Sequence, residues 1–443
     1  MIIALITIAV ILILYGAVSK PLDARGITSA MVFTVAGLCV GTSALKLVNI
    51  HLESHAAERF CELALVFLLF SDSTRIDLAG LRRHRGWPSR LLLIGLPLTI
   101  LAGLGAGLLV FPGIALASAF VLSTMVCSTD AALGQRVVSD KSVPGRVRQA
   151  LDVESGLNDG LAVPFFLVAV DLSRAQLSGD VGAAVVRNMA EQIGWGLVAG
   201  VGAGTLAGLL LRAADDRGWL EGQWRQILPL VAALLAYLAA LRLGGSGFIA
   251  AFTGGMTFGY FSRRHDLPVT VFNEDVGGTL AGATWVGFGA LAVGQLLPHV
   301  TWQIVAYAAL SLTLIRMVPV AIALLGTGAR LPTVAFMGWF GPRGLASIVF
   351  ALIAFESHIP NRQMLFTTVM MIILLSVFLH GLSSVPLVAS YSRWYAAHVE
   401  KQPSASEAKP TIMSRLRQHQ APEEQHPTPE ETEPATARQR PSQ

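Results

Sequence analysis

The chain has 443 residues, 53% of them hydrophobic and 14% charged, with a formal net charge of +4. Soluble domains carry about 25% charged residues, so a soluble globular protein is excluded, and a charge of +4 scattered over short loops leaves no footprint for nucleic acid. Apolar runs of about 20 residues recur nearly end to end and are continuous rather than alternating, which excludes a β-barrel and leaves an all-α, polytopic membrane protein.

The first run, 2–18, has no basic leader and no small-residue cleavage site, so it reads as a retained span. Runs at 27–49, 56–73, 90–110, 113–133 and 150–171 follow. Then come 188–212, 225–242, 246–262 and 275–296, and finally 302–327, 331–355 and 364–390. That makes about thirteen transmembrane helices. Cys39, Cys61 and Cys127 all lie inside apolar runs and form neither a disulfide framework nor a metal spacing.

Basic residues concentrate after the odd-numbered runs. They are Lys20 and Arg25; Arg75, Arg82, Arg83, Arg85 and Arg90; Arg136, Lys141, Arg146 and Arg148; Arg212, Arg217 and Arg225; Arg263 and Arg264; and Arg330. Positive charge stays on the cytoplasmic side, so the alternation predicts an outside N-terminus and a cytoplasmic C-terminus in a cell inner membrane. Residues 394–443 are rich in Pro, Glu, Gln, Ser and Thr. Such a segment cannot bury a core, so 1–393 reads as the transmembrane domain and 394–443 as a disordered cytoplasmic tail.

Charges inside the runs point to chemistry. Asp72 ends the third run, LVFLLFSDSTRIDL, either as a helix-end charge in water or as part of an ion path. The fifth run holds Ser123, Thr124, Ser128, Thr129 and Asp130, a candidate interruption. The sixth, LDVESGLNDGLAVPFFLVAVDL, carries Glu154, Ser155, Asn158 and Asp159 on one helical face. An ionisable group at membrane depth costs about 2.5–3.5 kcal/mol on insertion scales, so two acids with two neutral oxygen donors read as a cation or proton site. Asp159 lies about 16 Å of helix beyond Arg148, near the midplane.

Arg316 in the eleventh run needs a carboxylate, with Glu154 as first choice. The twelfth run is broken by Gly341, Pro342, Arg343 and Gly344. Arg343 either replaces Arg316 as the partner of Glu154 or holds the broken ends of its own helix. The two interrupted runs are seven apart, so they traverse the membrane in opposite senses, as in two inverted halves of a transporter. Half-helix ends at that depth carry partial charge; Asp130 is placed to neutralise the N-terminal ends, and Thr129 with freed carbonyls to offer oxygens to a cation.

The Thr129-Asp130 pair, Glu154-Ser155-x-x-Asn158-Asp159, Arg316 and the Gly-Pro-Arg-Gly at 341–344 resemble the cation/proton antiporters of the NhaP and sodium/proton exchanger type over about residues 1–393. The resemblance implies an NhaA-like antiporter fold with inverted repeats and two crossing broken helices. It also implies a core domain moving against a separate dimerisation domain, hence a homodimer. It implies that Asp159 is the shared proton and cation site, that Ser155 and Thr129 help ligate the monovalent cation, and that Asp130 compensates helix dipoles. Glu154 and Arg316 would form a structural pair near Asn158. Ala131 departs from the pattern, since many members carry proline there.

The expected function is electroneutral exchange of sodium, with potassium or lithium as alternatives, for a proton. A neutral amide at Asn158 leaves one titratable site where an acid would give two. No enzymatic activity and no cofactor are expected. Two other classes compete. A passive cation channel would not show saturating, pH-dependent exchange. An intramembrane serine protease would use Ser246 of Gly244-Gly245-Ser246-Gly247 with His265, His299 or His380 as base.

Overall fold

The computed structural model describes residues 2–41, 44–47, 55–75, 86–178, 183–262, 271–399, 402 and 405–408. Every one of the thirteen apolar runs has a helical counterpart, and no strand occurs among the described residues. The helices are α1 (Ile2–Ala24), α2 (Ser29–Val40), α3 (His55–Thr74), α4 (Trp87–Val110), α5 (Leu116–Met125) and α6 (Ala131–Ser139). They continue as α7 (Gly145–Ser178), α8 (Ala183–Asp216), α9 (Gly222–Leu243), α10 (Gly247–Ser262) and α11 (Val271–Leu296). The last are α12 (Trp302–Leu312), α13 (Leu314–Leu324), α14 (Leu331–Trp339), α15 (Leu345–Glu356) and α16 (Arg362–His398). Seven helical stretches are long and apolar enough to cross a membrane by length and composition. A helix closes its backbone hydrogen bonds within itself, which is what lipid demands.

Three runs are split. The fifth divides into α5 and α6 and the twelfth into α14 and α15, as Asp130 and Gly341-Pro342 predict. The eleventh also breaks, between α12 and α13, at Thr313 (φ −118°, ψ −94°), whose hydroxyl donates back to the Ala309 carbonyl at 2.6 Å. That break turns the chain just before Arg316. In α4 a single π turn at Leu91–Gly95 precedes Pro97, which has no N–H to give.

The helices pack in two groups. In one, α8 lies on α10, α2 on α11, and α3 against both α10 and α11. In the other, α4 lies on α5, α5 and α6 on α7, α12 and α15 on α16, and α13 on α14. The groups meet along α3, α7 and α15. α1 has no buried residue, and Ile2, Ile13 and Leu14 point outward, as suits a lipid-facing span.

Helical chain is described past residue 393. α16 runs on to His398, and Ser406–Ala408 forms a 3-10 turn seated on the protein. Glu407, 2% exposed, accepts from the Arg330 N–H at 2.8 Å and the Thr333 hydroxyl at 3.0 Å. Ser406 receives Arg146 on both its carbonyl (2.6 Å) and its hydroxyl (2.7 Å). Hydrogen bonds to loop backbone hold this segment, and an apolar-content argument does not detect them. Residues 409–443, with Arg82, Arg83, Arg85, Arg263, Arg264 and His265, lie outside the described residues.

Candidate functional site

The two expected breaks meet. The backbone N–H of Asp130 donates to the Pro342 carbonyl at 2.8 Å. Asp130 Oδ1 accepts from the Leu133 N–H at 3.1 Å, and Oδ2 from the Leu345 N–H at 3.0 Å. One carboxylate therefore caps the N-termini of both α6 and α15, where the helix dipoles are positive. Ala131 is the first residue of α6, so the interruption forms without proline there. Gly344 is required by close approach, since an added Cβ would overlap Asp130 Oδ2. Gly341 is likewise pressed against the Arg316 guanidinium.

Arg343 is wholly buried, and its Nη1 donates to the carbonyls of Cys127 (3.1 Å) and Ser128 (2.8 Å). It thus serves the C-terminal end of α5, the other broken run, rather than its own helix or Glu154. Glu154 belongs to Arg316. Nη2 donates to Oε2 at 2.8 Å, Nη1 donates to Oε1, and both residues are 3% exposed. A bidentate, desolvated pair of this kind is strong in geometry and costly to break from one side.

Around these supports lie the proposed ligands. Thr129 Oγ1 and Ser155 Oγ are 3.2 Å apart. Asn158 spends both ends of its amide on Thr129, accepting from its N–H at 3.1 Å and donating to its hydroxyl at 2.7 Å. Asn158 fixes the break; Asp130, too, is committed to caps. Asp159 differs from both, because its Oδ1 is buried and accepts no hydrogen bond from the protein. The charged groups acting on it are Asp130, Asp72 and Arg343. Asp72 packs against Gly156 of α7, three residues before Asp159.

A crevice lined by Gly134, Val138, Asp152, Ser155 and Pro342 runs between α6, α7 and the α14–α15 gap to Ser155. Sequence reasoning passed over Asp152, which stands seven residues before Asp159 and so on the same face of α7. It also missed Glu274 of α11, which accepts from Ser71 at 3.1 Å and pairs with Arg75. Asp72, Asp152 and Glu274 are grouped near Arg75.

Asp159, Ser155 and Thr129, the expected ligands, offer oxygen only, one carboxylate and two hydroxyls. Hard oxygen donors suit hard cations. No group of three or more His, Cys, Asp and Glu residues able to hold a metal ion occurs among the described residues. Ser246 caps α10, accepting from the Ile249 N–H at 3.4 Å, and His380 is engaged elsewhere with Trp339 and Ser376.

Residues 6–390 match the family model described as sodium/hydrogen exchanger, transmembrane. The chain is 25% identical over 409 residues to the K(+)/H(+) antiporter NhaP of Alkalimonas amylolytica, covering 90% of this chain and 68% of that protein. It is 27% identical over 387 residues to the low-affinity Na(+)/H(+) antiporter NhaS1 of Synechocystis, covering 81% and 69%. Its fold is similar to that of the sodium proton antiporter MjNhaP1 of Methanocaldococcus jannaschii at pH 8, with a TM-score of 0.69, 20% identity, and coverage of 86% of this chain and 99% of that one. With the match spanning nearly all its helices, the chain belongs to the sodium/hydrogen exchanger family.

Proposed function

We propose that the chain exchanges a monovalent cation for a proton by alternating access, with both ions contesting Asp159. The observation that carries this is Asp159 Oδ1, buried without a hydrogen-bond partner one helical turn beyond Ser155, whose hydroxyl lies 3.2 Å from that of Thr129. A carboxylate withdrawn from water must find a proton or a cation. Its neighbours Asp130, Arg343, Glu154 and Arg316 are each engaged in caps or a pair, which leaves Asp159 free to change its charge. Movement restricted to the loaded forms then couples the two gradients. Antiport by the curated relatives favours this over the passive channel.

One titratable acid beside a neutral Asn158 supports one-for-one, electroneutral exchange. Sodium is the first cation to test, then potassium and lithium. The same reading includes a homodimer in the cell inner membrane, an outside N-terminus and a cytoplasmic C-terminus, and inverted halves with crossing broken helices. Support for it comes from the loop charges and the family resemblance. The test is Asp159→Asn in proteoliposomes carrying a pH dye. Cation-driven proton flux should vanish while the protein remains folded; persistent exchange would remove Asp159 from the mechanism.

A further inference from the structure

The two interrupted runs bring four helix ends into one small volume: the N-termini of α6 and α15 and the C-termini of α5 and α14. Each end leaves backbone groups unpaired, positive at an N-terminus and negative at a C-terminus. Asp130 serves both N-termini, and Arg343 the C-terminus of α5. The fourth end, that of α14, is met from α16 as well as by the Gly341 N–H, which donates to the Trp339 carbonyl at 2.8 Å. There His380 Nε2 lies 2.9 Å from the Trp339 carbonyl oxygen. A carbonyl only accepts, so the ring form that serves the end of α14 is the one with its proton on Nε2.

The other ring nitrogen faces Ser376, one turn earlier, at 3.2 Å from its hydroxyl and 2.9 Å from its carbonyl. The Ser376 hydroxyl in turn accepts from the backbone N–H of Arg343 at 2.7 Å. One turn of α16 therefore grips both sides of the gap between α14 and α15. The His380 ring is buried and stacks on Trp339, centroids 5.1 Å apart, while the Trp339 indole N–H donates to Ser383 at 2.9 Å.

We infer that His380 and Ser376 are positioning residues for ion binding, completing the set of caps that Asp130 and Arg343 begin. By fixing Trp339 and Arg343 they fix where the Arg343 guanidinium meets the α5 carbonyls and where Pro342 meets the Asp130 N–H. The inference rests on the exchange reading of the Asp159 site. A ring that merely fills space between α14 and α16 would make the same stack, so the test must separate donor from volume.

The experiment measures half-saturating cation and maximal rate in proteoliposomes, with wild type and Asp159→Asn in parallel. His380→Phe keeps the stack and loses the donor; it should raise half-saturating cation about tenfold, ~1.4 kcal/mol, with maximal rate within about twofold. His380→Gln can still donate to the Trp339 carbonyl and should stay within about threefold of wild type. Ser376→Ala removes the acceptor for the Arg343 N–H, should raise half-saturating cation about threefold, and decides the matter if the Phe variant does not fold. Wild-type affinity in His380→Phe or Ser376→Ala, or equal impairment of the Phe and Gln variants, overturns the inference. Exchange surviving in Asp159→Asn instead overturns the site reading, whatever the order of the His380 variants.

Discussion

Asp130 and Leu345 stand 215 residues apart in sequence, yet the carboxylate of the first caps the helix begun by the second at 3.0 Å. The same carboxylate caps its own helix at Leu133, so two breaks far apart in the chain share one anion. The site is therefore held by polar contacts between helix ends, and its stability responds to single atoms.

The first prediction concerns that shared carboxylate. Asp130→Asn keeps one acceptor and loses the other, so one of the two caps fails. Loss of an N-cap costs about 0.5–2 kcal/mol. Thermal unfolding in detergent should rank wild type above Asp130→Asn, and Asp130→Asn above Asp130→Ala, which loses both. Equal stability of the two variants would contradict the double cap.

A second prediction follows from Glu154 and Arg316. Removing one partner strands a buried charge, at about 3–5 kcal/mol. Arg316→Leu and Glu154→Leu should each fall well below wild type in folded yield. The double variant, which strands no charge, should recover much of the loss. Additive damage in the double variant would mean that the two side chains do not act as a pair.

Glu407 supplies a third. Glu407→Ala leaves the Arg330 N–H without its acceptor and the Thr333 hydroxyl with one fewer partner. Stranding a buried donor costs about 1–3 kcal/mol, so the melting temperature should drop while exchange at low temperature persists. An unchanged melting temperature would argue against the docked segment.

A fourth prediction tests charge balance. With Asn158 committed to Thr129 and Asp159 Oδ1 left without a partner, the proposed one-for-one cycle would move no net charge. Exchange rates at matched ion gradients should be the same with and without an imposed potassium–valinomycin potential. A clear dependence on that potential would require a second ion per cycle.

Much of this was readable in the sequence because membrane depth makes polar residues conspicuous. Asp130, Glu154, Asp159, Arg316 and Gly341-Pro342 stood out against apolar runs, and the structure brings all of them into one region. What pairs with what was less legible. Arg343 had two plausible partners along the chain and took neither, since the carbonyls it serves become unpaired only when α5 unwinds. His380 was noticed only as a possible base, because nothing local marks it as a cap for a helix 41 residues away. The break at Thr313 was missed, as Thr and Leu do not signal an interruption. Ser406 and Glu407 escaped notice because a composition rule averages over a window, and two well-placed polar groups do not change an average.

The central claim is competition at Asp159, and the pH dependence of cation affinity tests it most directly. In wild-type proteoliposomes, half-saturating cation should rise about tenfold per pH unit on the acid side, as one proton displaces one cation, while the maximal rate at saturating cation stays level. Half-saturating cation that does not move with pH, or a maximal rate that falls with acid at every cation concentration, would contradict it.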